Sequence, residues 1–295
     1  MSDPASRPSR PPRTESRESV ELLAIRQRNP ELASAVDLHL ELLELQRRIQ
    51  VRVPLPTLDL SAETLTRHQA EARPMLRFEN IPLDLTDLRL MVRQTADVLR
   101  RFGAIEEPDY AKAQAVGRDM NLLDVVARWY RAGAERQLAA TAGPDVAAIA
   151  VDADNEMLHQ VIALAMRPFL SRCAEVLQQR PELAIWTHAN CALCGGEPDF
   201  SVITPSADRH LICSRCALRW KFEPLTCPYC RNSNRARITS FATPDGQYRV
   251  YACDVCHRYL KAYDGRRATR PVMPMVDSVA TLPLDAAAMQ RGYTS

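Results

Sequence analysis

The 295-residue sequence carries 38 basic and 36 acidic side chains, a formal net charge of +2, which excludes a strongly basic polymer-binding chain. It is 46% hydrophobic and long enough to bury two domain-sized cores, yet no 18-residue apolar run occurs, which excludes a membrane-spanning helix. Nine glycines against 21 prolines, with no GxGxxG or Walker-type sequence, disfavour a dinucleotide fold or a phosphate loop.

Residues 1–19 are rich in proline, serine and arginine and have almost no apolar side chain to offset the entropy of ordering, so a disordered tail is expected there. The tail lacks the apolar stretch of a secretory signal, and a cytoplasmic protein is expected. From 20 to 186 the apolar period is helical. Leu38, Leu42, Leu45 and Ile49 share one face, and Pro54 and Pro56 stop that helix. Another helix is expected near Ser61. Leu85, Leu88, Val92, Thr95, Leu99 and Phe102 form a stripe that ends at Gly103, a left-handed cap position. Leu122, Val126, Trp129 and Tyr130 mark a third face, and the run 152–179 a fourth, which Pro168 should kink. His39, His68 and His159 have no partner at ligand spacing and are assigned structural or surface roles. Cys173 falls on the buried stripe and is read as a small core hydrophobe.

The pattern changes after Pro181. Short β-branched and aromatic runs at 199–203, 209–212, 236–241 and 248–252, with Pro244-Asp245-Gly246 as a turn, predict small hairpins. The fold class is therefore α+β, with an all-helical domain over 20–186 followed by a tandem zinc-ribbon or rubredoxin-like module over 187–295.

Eight of the nine cysteines lie in this second part, in four pairs with two residues between partners: Cys191 and Cys194, Cys213 and Cys216, Cys227 and Cys230, Cys253 and Cys256. Two intervening residues let a tight turn aim both sulfurs at one point, and two such knuckles complete a tetrahedral metal site. Gaps of 18 and 22 residues within the first and last two pairs, against 10 between the middle pairs, favour consecutive pairing. Cys191, Cys194, Cys213 and Cys216 then hold one ion, and Cys227, Cys230, Cys253 and Cys256 a second. Interleaved pairing, first with third, is the alternative. His188, His210 and His257 are left as neighbours, because four cysteines already close each site. Such sites leave no open position for water, so metal-centred hydrolysis is not expected, and four thiolates suit iron or zinc alike.

Residues 191–270 hold 13 basic and 7 acidic side chains, a surplus of +6. Eight thiolates and two divalent ions reduce this to about +2. Arg231, Arg235 and Arg237, with Arg266, Arg267 and Arg270, still cluster near Tyr248 and Tyr263, so a nucleic-acid-binding zinc ribbon stands as the competing function, disfavoured by the small local charge. Trp220, Tyr229 and Tyr251 flank the knuckles as covers of the metal sites or anchors for a partner, the covering role being the simpler.

Cys191-x-x-Cys194-Gly195 with Pro198, Leu211-x-Cys213-Ser214-x-Cys216 with Trp220, the third and fourth pairs, and Tyr259-Leu260-Lys261 together resemble the formate dehydrogenase accessory protein family FdhE. The C-terminal run Asp277 to Ala280, Leu282, Leu284-Asp285 and Gly292-Tyr293 is similar to that family's ending, and Arg167-Pro168-Phe169-Leu170 to its helical half. The resemblance implies a helical domain joined to a double rubredoxin-like module in a cytoplasmic, non-enzymatic factor needed for active respiratory formate dehydrogenase. Its implied partner is the catalytic subunit, a molybdenum and iron-sulfur protein, before twin-arginine export. The eight cysteines carry over as ligands of two metal ions, iron or zinc. Whether the chain forms a homo-oligomer is left open by the sequence. Arg231 stands where the family commonly has glycine, which puts that turn's geometry in question.

Overall fold

The computed structural model describes residues 16–142, 155–178, 180–268 and 270–295. The predicted tail thus lies mostly outside the described residues, but its last residues do not form a tail. Helix α1 (Arg17–Arg28) starts there, capped by the Ser16 hydroxyl accepting from the Ser19 amide at 3.1 Å.

The helical half continues through α2 (Ala33–Gln50), α3 (Ala62–Ala70), α4 (Leu85–Arg101), α5 (Glu107–Val116), α6 (Leu122–Ala142) and α7 (Glu156–Ala174). The predicted faces are buried where expected: Leu42, Leu45 and Ile49 on α2, and Leu88, Val92, Thr95 and Leu99 on α4. Asp84 caps α4, and Gly103 follows its end at φ 68°. Helix α7 runs through Pro168 and ends at Ala174, short of the expected 179. Helix α5 was not legible because it has no apolar stripe; Ala113 and Gln114 are its buried residues.

The second half is one six-stranded sheet rather than two separate hairpin modules. Its strands are β1 (Pro198–Ile203), β2 (Arg209–Cys213), β3 (Arg219–Phe222), β4 (Ile238–Ala242), β5 (Tyr248–Cys253) and β6 (Tyr259–Asp264). They lie in the order β3-β2-β1-β6-β5-β4. Two antiparallel triplets, each with one knuckle before its first strand and one before its third, join through a parallel seam that pairs Phe200–Ile203 with Lys261–Asp264. The third strands, β3 and β6, escaped the sequence reading. Helices α8 (Pro274–Ala280) and α9 (Leu282–Gln290) close the chain.

The largest core does not stop at residue 186. Leu45, Met91, Val161 and Phe169 of the helices pack in one cluster with Leu211, Trp220 and Leu260 of the sheet and with Cys191, Cys194, Cys213 and Cys216. A second cluster under the sheet gathers Phe200, Val250 and Tyr263 with α9, and a third joins Leu22 and Ile25 of α1 to Val276 and Val279 of α8. Among the described residues no helix is long and apolar enough to cross a membrane.

Candidate metal centres

All four knuckles repeat one backbone device. The residue after each second cysteine has positive φ: Gly195 70°, Ala217 59°, Arg231 62° and His257 54°. Its amide donates to the carbonyl of the first cysteine, at 2.9, 3.1, 3.0 and 2.8 Å in chain order. The first cysteine's own amide donates onward to Gly196, Leu218, Asn232 and Arg258, at 2.9 to 3.0 Å. Each loop is therefore closed twice, and both sulfurs face the same side. Arg231 adopts the same left-handed turn as Gly195, so its side chain does not disturb the third knuckle.

The fold brings Cys191, Cys194, Cys213 and Cys216 together, and separately Cys227, Cys230, Cys253 and Cys256, with the sulfurs of each set within 4.8 Å of one another. Interleaved pairing does not occur. In the first set Cys191 to Cys216 and Cys194 to Cys213 are 3.5 Å apart, and Cys194 to Cys216 3.6 Å. In the second, Cys227 to Cys256 is 3.7 Å and Cys230 to Cys253 3.6 Å. Disulfide sulfurs would be about 2.0 Å apart. Four sulfurs around one ion, each at about 2.3 Å, would stand about 3.8 Å from one another, so both sets fit a tetrahedral metal. The surroundings agree. Burial pushes the Cys191 and Cys216 thiols well up, and a cation is what would hold them as thiolates in so apolar a place.

The two centres differ in exposure. Every cysteine of the first is at most 1% exposed, whereas Cys230 and Cys256 of the second are partly exposed. The first centre is also held by the helical half: the Met75 and Leu76 amides donate to the Ala192 and Leu193 carbonyls at 2.9 and 2.8 Å. Arg215, inside the second knuckle, lies over the Trp129 ring at 4.3 Å and donates to the Tyr130 carbonyl at 3.2 Å. It passes so close to Gly133 that a Cβ there would fall 1.8 Å from its guanidinium. None of these supports has a local sequence signal, because they lie 80 or more residues from the cysteines they brace.

The flanking residues sort plainly. Trp220 is 1% exposed and donates to the His188 carbonyl at 2.9 Å, so it covers and does not present an anchor. Tyr229 donates to the Pro198 carbonyl at 3.0 Å beneath the Arg258 guanidinium. His188 bonds the Gln69 carbonyl through Nε2 and His257 stacks on Tyr293; neither His188, His210 nor His257 joins a sulfur cluster. His39 bonds the Ala35 carbonyl at 2.8 Å and His68 that of Arg73 at 3.0 Å. Cys173 is fully buried, its thiol pushed up to about 12 chiefly by that burial, which suits a core residue and not a nucleophile. Of the arginine clusters, Arg266 pairs with Asp264 at 2.7 Å and Arg270 with Asp277 at 2.6 Å, while Arg237 donates to the Asp254 carbonyl at 3.0 Å.

No family model matches the chain. Over 113 residues it is 30% identical to the Protein FdhE homolog of Stutzerimonas stutzeri strain A1501, 35% of each chain. Over 105 residues it is 28% identical to the Protein FdhE homolog of Pasteurella multocida strain Pm70, 35% of this chain and 34% of that one. The chain thus spans about a third of the length of the curated relatives it matches. The crystal structure of the FdhE protein from Pseudomonas aeruginosa shares the fold, with a TM-score of 0.58 over 94% of this chain and 91% of that one at 20% identity. The resemblance to FdhE proteins drawn from the cysteine pairs and their flanks is borne out, and so is the α+β class.

Proposed function

We propose that the chain is an accessory factor for the maturation of formate dehydrogenase, that it binds the catalytic subunit in the cytoplasm before export, and that it has no catalytic site of its own. The observation that carries this is the pair of four-cysteine clusters in one sheet docked on a helical bundle, a fold shared with an FdhE protein along nearly the whole chain. Cys191, Cys194, Cys213 and Cys216 would hold one ion and Cys227, Cys230, Cys253 and Cys256 the other, iron or zinc. A four-thiolate ion supplies a structural cross-link or, as iron, a one-electron redox centre, and neither use needs an open coordination position. Burial divides the work: the first centre staples the helices to the sheet, and the second lies where a client can reach it.

The test is affinity capture of the full-length protein from cells respiring anaerobically, with metal analysis of the purified chain. The expected result is co-purification of the formate dehydrogenase catalytic subunit with two ions per chain. Failure to recover that subunit under those conditions would overturn the proposal. Zinc alone in native protein would remove the redox form and leave the structural one. The competing nucleic-acid reading draws on the arginine clusters, and the engagement of Arg266, Arg270 and Arg237 with acidic or carbonyl partners counts against it; no steeply salt-dependent binding to DNA or RNA is expected.

A further inference from the structure

The two edges of the sheet are not alike. At β3 the Arg219 amide donates to the Gln178 side chain at 3.2 Å and Trp220 donates to the His188 carbonyl, so the helical half occupies that edge. Strand β4 ends the sheet on the other side, and β5 is its one strand neighbour among the described residues. The Arg237 carbonyl accepts from the Asp254 amide and the Thr243 amide donates to the Tyr248 carbonyl, both at 2.9 Å. By the alternation of an antiparallel ladder, Thr239 and Phe241 between them also turn their backbone groups to β5, and Ile238, Ser240 and Ala242 turn theirs outward. Thr239, Ser240 and Ala242 are exposed, and the pairing with β5 runs from Ile238 to Ala242 without a bulge. Natural edges are blunted by charged residues, proline or a bulge, and the run Ile238-Thr239-Ser240-Phe241-Ala242 has none of these inside it.

An open edge of this kind is a template for another strand, and the charges at its two ends say whose. Before β4 stands Arg235, exposed and without an ion pair among the described residues. After it stands Asp245, also exposed, which accepts from the Thr243 hydroxyl at 2.6 Å and the Gln247 amide at 3.0 Å through Oδ1 and keeps Oδ2 for a cation. An edge that is positive at one end and negative at the other complements itself turned end for end. A twofold axis at Ser240 sets Ser240 against Ser240 and Ile238 against Ala242 of a second copy, so outward backbone groups meet outward groups. The same axis sets Arg235 against Asp245 twice, because each stands five positions from Ser240. We propose that β4 is the interface of a homodimer, in which two copies pair their β4 edges antiparallel about Ser240 and Arg235 of each meets Asp245 of the other. Five residues make a small interface, so the association is concentration-dependent. The proposal goes beyond the maturation role and does not depend on it.

The experiment is sedimentation analysis of the full-length, metal-loaded protein across a dilution series. The expected result is a reversible equilibrium between monomer and dimer. Ser240→Pro removes an amide that points away from β5, which spares the monomer's own ladder, and should leave a folded monomer. Arg235→Asp turns two attractive contacts into repulsive ones and should raise the dissociation constant about ten-fold. A wild type that is monomeric at every concentration would overturn the assignment, and loss of formate dehydrogenase subunit capture in Ser240→Pro would then give the edge to a strand of that client. A dimer that persists unchanged in folded Ser240→Pro would place the contact elsewhere and overturn it equally. If Ser240→Pro does not fold, Arg235→Asp decides alone, and an unchanged dissociation constant refutes the paired edges.

Discussion

Arg231 shows how a residue can look wrong in sequence and be tolerated in structure. A left-handed backbone costs an ordinary residue about 1 kcal/mol or more, while the guanidinium 5.4 Å from the Phe222 ring returns about 0.5 to 1 kcal/mol. The two nearly cancel. Arg231→Gly should therefore change stability by less than about 1 kcal/mol in chemical denaturation and leave metal content at two ions per chain. Asp264 behaves differently. It is fully buried, receives Arg266 through two side-chain bonds at 2.7 and 2.8 Å, and its carboxyl is lowered from 3.8 to about 2, first by that contact. A depressed carboxyl favours the folded state fully above its ordinary range and loses that effect as pH falls from about 4 to about 2. Asp264→Asn should flatten the fall of the denaturation midpoint across that interval relative to wild type; an unchanged slope would show that Asp264 is not the group responsible.

At the level of elements, the seam between β1 and β6 decides whether two ribbons become one sheet. Gly265 stands at its end, with its amide 2.7 Å from the Ile203 carbonyl, and a Cβ there would come within 2.6 Å of that same oxygen. Backbone cannot swing aside as a side chain can. Gly265→Ala should lower stability by roughly 1 to 3 kcal/mol and reduce amide exchange protection along β1 and β6 before β2 or β5. The seam also explains which elements were legible. Hairpins joined by turn residues announce themselves over a few positions, and β1, β2, β4 and β5 were placed to within two residues. Strands β3 and β6 are set by the knuckles that precede them and by long-range pairing, and α5 by its neighbours, so local periodicity did not show them.

For the whole molecule, the contrast between a buried and a partly exposed cluster predicts a sequence of metal loss. A chelator should remove one ion quickly, from the Cys227, Cys230, Cys253 and Cys256 set, with little loss of helical circular dichroism. The second should leave slowly and together with tertiary structure, because Cys191, Cys194, Cys213 and Cys216 are part of the core shared with α2, α4 and α7. Release of both ions in one phase would contradict that order. The sequence alone determined the main helical faces and the eight metal-type cysteines, and it favoured their consecutive grouping over the interleaved one, since each depends on spacing over a few to about twenty residues; the meeting of the sulfurs in the fold decided that grouping. Tertiary structure alone decided that the first centre belongs to the helical core through Met75, Leu76, Trp129 and Tyr130, and that the arginine clusters are largely engaged. Those facts depend on which distant segments meet, and burial and charge compensation are properties of that meeting, not of the chain read in order.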